Sequence, residues 1–305
     1  ATGVAVAKDK PVPLSGTDAA ALQGKTVALT VHERPSFSAM TAGKASFGLF
    51  GAGAMISAGN KLIEDNGVAD PAIIVREKLA TALGEVYGAQ VLTPDTAPTT
   101  ATKPKELAAL HPQADYVLDV RSGGWMYAYY PTDWNSYWIG YSAQVQLIDT
   151  RTARQVSNLA CNATTQKHAN SPSRDDMHNN NAQLIKDVTT ALGWTCVQLL
   201  AKEQFHFPAD KVPATPSQWV DPLADFARSH GGAGNGMTPA TTSNGMTPAR
   251  PSNGMTPVTT SNGMTPPGKT PGVPVSSNAT GRCPLESCTT GSTRAWRASI
   301  ADGGR

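Results

Sequence analysis

The chain has 305 residues, 16% of them charged, and a formal net charge of +2. Residues 231–305 carry six basic and two acidic side chains, +4, so the first 230 residues sit near −2 and offer no basic stripe for nucleic acid. No apolar run reaches the roughly 20 residues that cross a bilayer as a helix, and composition separates one α/β domain over 25–206 from polar flanks.

In chain order, the polar, Pro-containing opening reads as a processed N-terminus followed by an extended tether over 1–24. A first strand is predicted over 26–33, with Val27, Leu29 and Val31 inward and Thr26, Ala28 and Thr30 outward, stopped by Pro35. The uncharged stretch 45–60 reads as a helix with small residues four apart at Gly48/Ala52 and Gly53/Ser57. That spacing permits close backbone approach. The helix is either pressed onto a sheet or uses Gly48, Gly51, Ala52, Gly53 and Ser57 for self-association or membrane contact, being too short to cross alone. Asp70 as N-cap, Pro71 in the first turn and Gly88 as a stop frame the next helix, with Ile74, Leu79, Leu83 and Val86 as its apolar stripe. A short strand over 89–92 and a short helix over 105–110 follow.

A three-stranded meander comes next. Tyr116, Leu118 and Val120 alternate with Asp115, Asp119 and Arg121 over 115–121. Tyr137, Ile139, Tyr141, Ala143, Val145 and Leu147 share one face of a long second strand, and 155–161 supplies the third. Ser173 and Asp176 resemble a capping box opening a closing helix through Lys202. The order β-αα-β-α-β-β-β-α combines crossovers, which make parallel neighbours, with an antiparallel meander. The fold class is therefore α/β, a mixed sheet of about five strands with helices packed on it.

Of four cysteines, Cys161 and Cys196 fall in predicted regular structure, where a helix on the sheet can bring them together; a disulfide there contributes about 3–4 kcal/mol if unstrained. The alternative is two buried thiols, and four cysteines allow three pairings. Beyond the domain, 207–234 reads as a Pro-rich linker with room for an amphipathic piece near 219–226. Asn-Gly-Met-Thr-Pro then recurs four times at a period of nine over 235–266, each copy joining a turn former to a helix breaker. These repeats and the tail 267–305 read as disordered.

Catalytic signatures fail one by one. His32-Glu33 has no second histidine at zinc-helix spacing, Gly51-Ala52-Gly53 lacks the third glycine of a dinucleotide fingerprint, and Gly43-Lys44 lacks the rest of a phosphate loop. His168, Asp175, Asp176 and His178 have metal-ligand chemistry but match no standard spacing, and the two acids are better explained as helix first-turn residues. No catalytic residue, metal or cofactor is assigned. Instead, eight of the nineteen aromatic residues crowd into seventeen positions around 131–133. Two readings stand side by side: a loop platform for a partner, formed by Trp125, Tyr129, Tyr130, Asp133, Trp134 and Trp138, or aromatics that fill the core and stack across a hairpin. On either reading Trp134 and Trp138 are partly exposed.

Residues 25–205 resemble bacterial envelope lipoproteins. The likeness lies in Ser-Ala-Gly-Asn at 57–60, Asp-Asn-Gly-Val-Ala-Asp-Pro at 65–71, Ala-Asp-Tyr-Val-Leu at 114–118 and Tyr-Pro-Thr-Asp-Trp at 130–134. Element order is similar to the small α/β domain of the curli secretion lipoprotein, the outer-membrane activators of peptidoglycan synthases and the N-terminal domain of TolB. The resemblance implies a non-enzymatic periplasmic protein, peripheral or lipid-anchored at the outer membrane, that binds an envelope protein or peptidoglycan component or forms a homo-oligomer. A lipoprotein would carry an acylated cysteine at its N-terminus, and Ala1 stands there instead. The rival readings are a hydrolase or metal enzyme using 168–178, and a surface adhesin working through its repeats.

Overall fold

The computed structural model describes residues 10–45 and 48–230, with 48–50 by helical backbone alone. The repeats at 235–266 and the tail at 267–305 lie outside the described residues. The elements run α1 (Gly16–Ala20), β1 (Thr26–Leu29), β2 (Phe37–Met40), α2 (Ala42–Ala45), α3 (Gly48–Asp65), α4 (Ala72–Tyr87), β3 (Gln90–Val91), α5 (Pro104–Leu110), β4 (Tyr116–Tyr130), β5 (Asp133–Asp149), β6 (Arg154–Thr164), α6 (Arg174–Glu203) and α7 (Pro222–His230). The strands form one mixed sheet in the order β3-β1-β4-β5-β6. β1 and β2 lie one after the other along the same long strand, both parallel to β4, whereas β4-β5 and β5-β6 are antiparallel.

One extra residue decides which way the aromatic end of the sheet faces. β4 and β5 pair continuously from Tyr116↔Asp149 to Ser122↔Ala143, then resume at Gly124↔Ser142, leaving Gly123 unopposed. Such a bulge exchanges the two faces of the strand beyond it. Before it, Tyr116, Leu118 and Val120 point into the main core; after it, Trp125 and Tyr127 do. β5 keeps one phase throughout, so Tyr137, Ile139, Tyr141, Ala143, Val145 and Leu147 are all buried in that core. α4 and α6 contribute Val75, Leu79, Leu83, Val188, Val197 and Leu200 to it.

Among the described residues, the opposite face is covered by a helix core only at one end. There α5 lays Leu107 and Ala108 against Ala28, Val117 and Ile148, a second, smaller core. The expectation that Ala28 and Thr30 face outward is corrected accordingly. Both are buried, Ala28 beneath α5 and Thr30 by donating its hydroxyl to Asp119 at 2.6 Å.

Local chemistry explains most element ends. Gly88 adopts the left-handed conformation and its N–H reaches the Gly84 and Leu83 carbonyls, closing α4. Asp70 accepts from the Ala72 N–H at its start. Ser173 and Asp176 form the reciprocal capping box of α6. α6 is broken by an extended Asn179 and left-handed Asn180, Asn181 and Ala182.

Three further expectations change. β1 ends at Leu29, and the chain re-enters the sheet as β2, a strand too short for its alternation to register in the sequence. The expected tether is integrated from residue 10 onward: Val12 bridges Asn158 on the edge of β6, Leu14 donates to the Gln204 carbonyl at 2.7 Å, and Leu14, Ala19 and Leu22 join the core. The expected linker packs too, with Phe207 and Leu223 buried and α7 against α6. Cys161 and Cys196 form a disulfide between β6 and α6, Cα atoms 5.5 Å apart.

Candidate functional site

Beyond the reach of α5, the outer face of β2, β4, β5 and β6 is flanked by α3 and carries no other helix among the described residues, and its residues follow from register. Met40 lies beside Ala128, which faces Trp138; Ser38 lies beside Met126, which faces Gly140; Gly124 faces Ser142, which pairs with Asn162. The small residues Gly124, Gly140 and Ser142 make a low floor. Met40, Met126 and Trp138 stand around it, and Ile56 of α3, 42% exposed, closes one side. The groove so formed has a volume of about 670 Å³. The Trp138 ring lies along the sheet over Gly140, so close that a Cβ on that glycine would meet it at 2.9 Å.

At the hairpin tip, Trp134 shares the outward phase of β5 with Trp138 and is 66% exposed, its indole N–H donating to the Pro131 carbonyl at 3.2 Å. Asp133 organises the turn, accepting from the Asn135 N–H at 3.1 Å and the Ser136 hydroxyl at 2.5 Å. The Ser136 hydroxyl and the Asn135 N–H hold its carboxyl below the usual range. The Tyr130 hydroxyl accepts from the Lys167 N–H at 3.2 Å and the Ser171 hydroxyl at 3.3 Å, which ties the hairpin to the loop before α6.

The six residues offered as an aromatic platform therefore divide. Trp125 is a core residue, 3% exposed, donating its indole N–H to the Pro35 carbonyl at 3.0 Å and meeting Phe37 edge-on at 5.2 Å; the bulge at Gly123 turned it inward. Tyr129 packs against the same core. Asp133 and Tyr130 hold the tip together, and Trp134 and Trp138 remain as the accessible aromatic surface. Reasoning from sequence missed Met40, Met126 and Ile56. The usable signal was the run of small residues in the outward phase of β4 and β5, which leaves room rather than filling it.

On α3, Gly51 is buried while Ala52, Gly53 and Ser57 are exposed, and the helix makes a close backbone contact with β2. That contact falls at Gly59. The residues of the rival metal reading go to separate partners. His168 pairs with Asp221 at 3.0 Å, His178 lies 3.1 Å from the Tyr127 hydroxyl, and Asp176 serves the capping box.

Sequence reasoning also passed over a carboxylate on the outer face. Asp119 is fully buried and bonded to Thr30, to His32 at 2.5 Å, to Gln146 at 2.9 Å and to Arg121 at 3.3 Å. Burial alone would raise its pKa, but the hydrogen bonds from His32, Gln146 and Thr30 and the His32 charge outweigh it and hold the group below the usual carboxylate range. With Gln146 and Arg121 also donating to the Thr102 carbonyl, this carboxylate fastens the 99–102 segment to the sheet.

No protein-family model matches the chain, and no curated protein matches it. Among solved structures it is similar to lipoprotein GNA1162 from Neisseria meningitidis, at 12% identity over 53% of this chain and 92% of that one, with a TM-score of 0.21. It is also similar to the hypothetical protein CT253 from Chlamydia trachomatis, at 14% identity over 59% and 97%, with a TM-score of 0.29. The C-terminal domain of LpoB from Salmonella enterica matches at 16% identity over 46% and 83%, with a TM-score of 0.17. TM-scores this far below 0.5 transfer no role to the present chain.

Proposed function

We propose that this protein is a non-enzymatic module of the bacterial cell envelope that binds a polypeptide partner across the open outer face at the hairpin end of its sheet. The observation that carries this reading is that an exposed tryptophan, Trp134, shares the outward phase of β5 with Trp138, which walls a groove together with Met126, Met40 and Ile56. Aromatic and methionine side chains around a recess are what interface centres are made of, since they offer large contact area or adaptable shape. The Cys161–Cys196 disulfide supports an oxidising compartment, which for a bacterium is the periplasm or the outer-membrane surface. Among the described residues no helix is long and apolar enough to cross a membrane.

The test is co-purification from envelope extract with the full chain and with Trp134→Ala plus Trp138→Ala. The reading requires that the double variant fold normally and lose its partner; retention of the same partner would sink it. A second copy of the chain is the other candidate occupant, favoured by the exposed Ala52 and Ile56 of α3 on the groove rim. Light scattering on the purified protein separates the two, because self-association survives without extract.

A further inference from the structure

A second cavity, of about 640 Å³, lies between the broken start of α6, the 3-10 turn Ser217–Trp219 and α7. Its volume is in the range of small-ligand pockets, roughly 300–1,000 Å³. Nothing in the hairpin site reaches it. Its lining is chemically uniform in one respect: four amide side chains, Asn179, Asn180, Gln183 and Gln218, surround a half-buried Trp219, and no lysine or arginine takes part.

The break in α6 is what presents these groups. Asn179 leaves the helix in an extended conformation and Asn180, Asn181 and Ala182 follow in left-handed backbone, a run that asparagine tolerates and alanine does not favour. Ala182 is buried beneath the turn, while Asn179 and Asn180 are exposed along the cavity wall. Strained backbone held by its surroundings is typical of ligand clamps.

The chemistry of the wall narrows the ligand. Three carboxylates face the cavity against one basic side chain, His230, a balance that disfavours phosphates and sugar acids. These carboxylates are already engaged by the protein. Asp176 accepts from the Ser173 N–H and hydroxyl, Asp225 pairs with Arg228, and Asp187 accepts from the Gln183 amide at 2.7 Å. Each carboxylate therefore already holds a donor from the protein, although only Asp225 has a charged partner among the described residues. An amide offers both a donor and an acceptor, as a sugar hydroxyl does, and an indole face suits the apolar face of a pyranose ring.

We infer that this cavity is a binding site for an uncharged saccharide, with a pyranose ring against Trp219 and its hydroxyls shared among Asn179, Asn180, Gln183 and Gln218. This inference is independent of the partner surface at the hairpin.

The experiment is saturation-transfer NMR on the full chain with maltotriose, cellotriose, mannotriose and diacetylchitobiose, using glucuronate and cadaverine as anionic and cationic controls. At least one neutral sugar binds with a Kd of about 1 mM or tighter, about −4 kcal/mol at that threshold. Trp219→Ala weakens it about tenfold or more, and Asn179→Ala with Gln218→Ala, both exposed and remote from the core, weakens it by a similar factor. Trp134→Ala plus Trp138→Ala leaves it unchanged. The inference is overturned if none of the four sugars saturates, if binding survives the Asn179/Gln218 pair, or if either charged control binds more tightly.

Discussion

Gly59 of α3 sits so close to the Phe37 carbonyl of β2 that a Cβ on the glycine would lie 2.1 Å from that oxygen. The next residue, Asn60, accepts from the Phe37 N–H at 2.8 Å, so the helix covers the outer edge of a strand whose peptide groups would otherwise seek another chain. Two glycines of one helix consequently respond to the same substitution with opposite signs. Gly59→Ala forces helix and strand apart and costs about 1–3 kcal/mol or more. Gly53→Ala, with nothing within 4 Å of the new methyl, stabilises the helix by about 0.5–1 kcal/mol. Urea-unfolding midpoints read both. If α3 mediates self-association, Gly53→Ala lowers the oligomer fraction by light scattering even as it raises the midpoint.

The Cys161–Cys196 bridge closes a loop of sequence separation 35 between the last strand and the closing helix. Loop-closure entropy assigns it about 3–4 kcal/mol. Cys161→Ala with Cys196→Ala lowers stability by that order, and dithiothreitol lowers the wild-type melting temperature while leaving the double variant unmoved. An unchanged wild type under reduction means the bond contributes nothing.

Tryptophans at 125 and 134 separate packing from surface. Trp125→Ala removes a core side chain that meets Phe37 edge-on and costs about 3–5 kcal/mol. Trp134→Ala, at 66% exposure, changes stability by no more than about 0.5 kcal/mol. Thermal melts of the two single variants, run together, decide whether the bulge at Gly123 divides the aromatic cluster as described.

Acid should destabilise the protein in two steps. His178 is held below its ordinary pKa first by burial and then by the Arg174 and Lys44 charges, so the folded state favours its neutral form. The stability that this provides is lost as pH falls below about 6.5, the unfolded value, toward the folded one. Asp119, held below the carboxylate range, contributes above about 3.9, and that contribution is lost as pH falls through its folded pKa. Denaturation curves from pH 8 to 3 should lose the upper step in His178→Gln and the lower step in Asp119→Asn. The Asp119 variant also starts about 3–5 kcal/mol less stable, because His32 and Arg121 lose a buried partner.

Much of the fold was legible because its signals are local. The alternation of Tyr137 to Leu147, the Ser173–Asp176 capping box and the Gly88 stop each act within a few residues and appear as expected. The opening segment and the region after residue 206 were misread for the converse reason. Prolines and polar residues there do end regular elements, but Leu14, Leu22, Phe207 and Leu223 are buried as single anchors without a period to reveal them. At the candidate site, clustering of tryptophan and tyrosine was visible while its direction was not.

The order of side chains along each strand, the caps of the helices and the concentration of aromatics around 131–133 were determined by the sequence alone, since a strand's two-residue period and a cap's hydrogen bond need only near neighbours. Which aromatics meet solvent was decided by tertiary pairing. One unopposed glycine at 123 exchanges the faces of half a strand, and α5 covers only one end of the sheet, so Trp125 went inward and Trp138 was left beside an open groove. Neither effect has a local energetic signature, because both depend on what the chain places opposite a residue, not on what stands beside it.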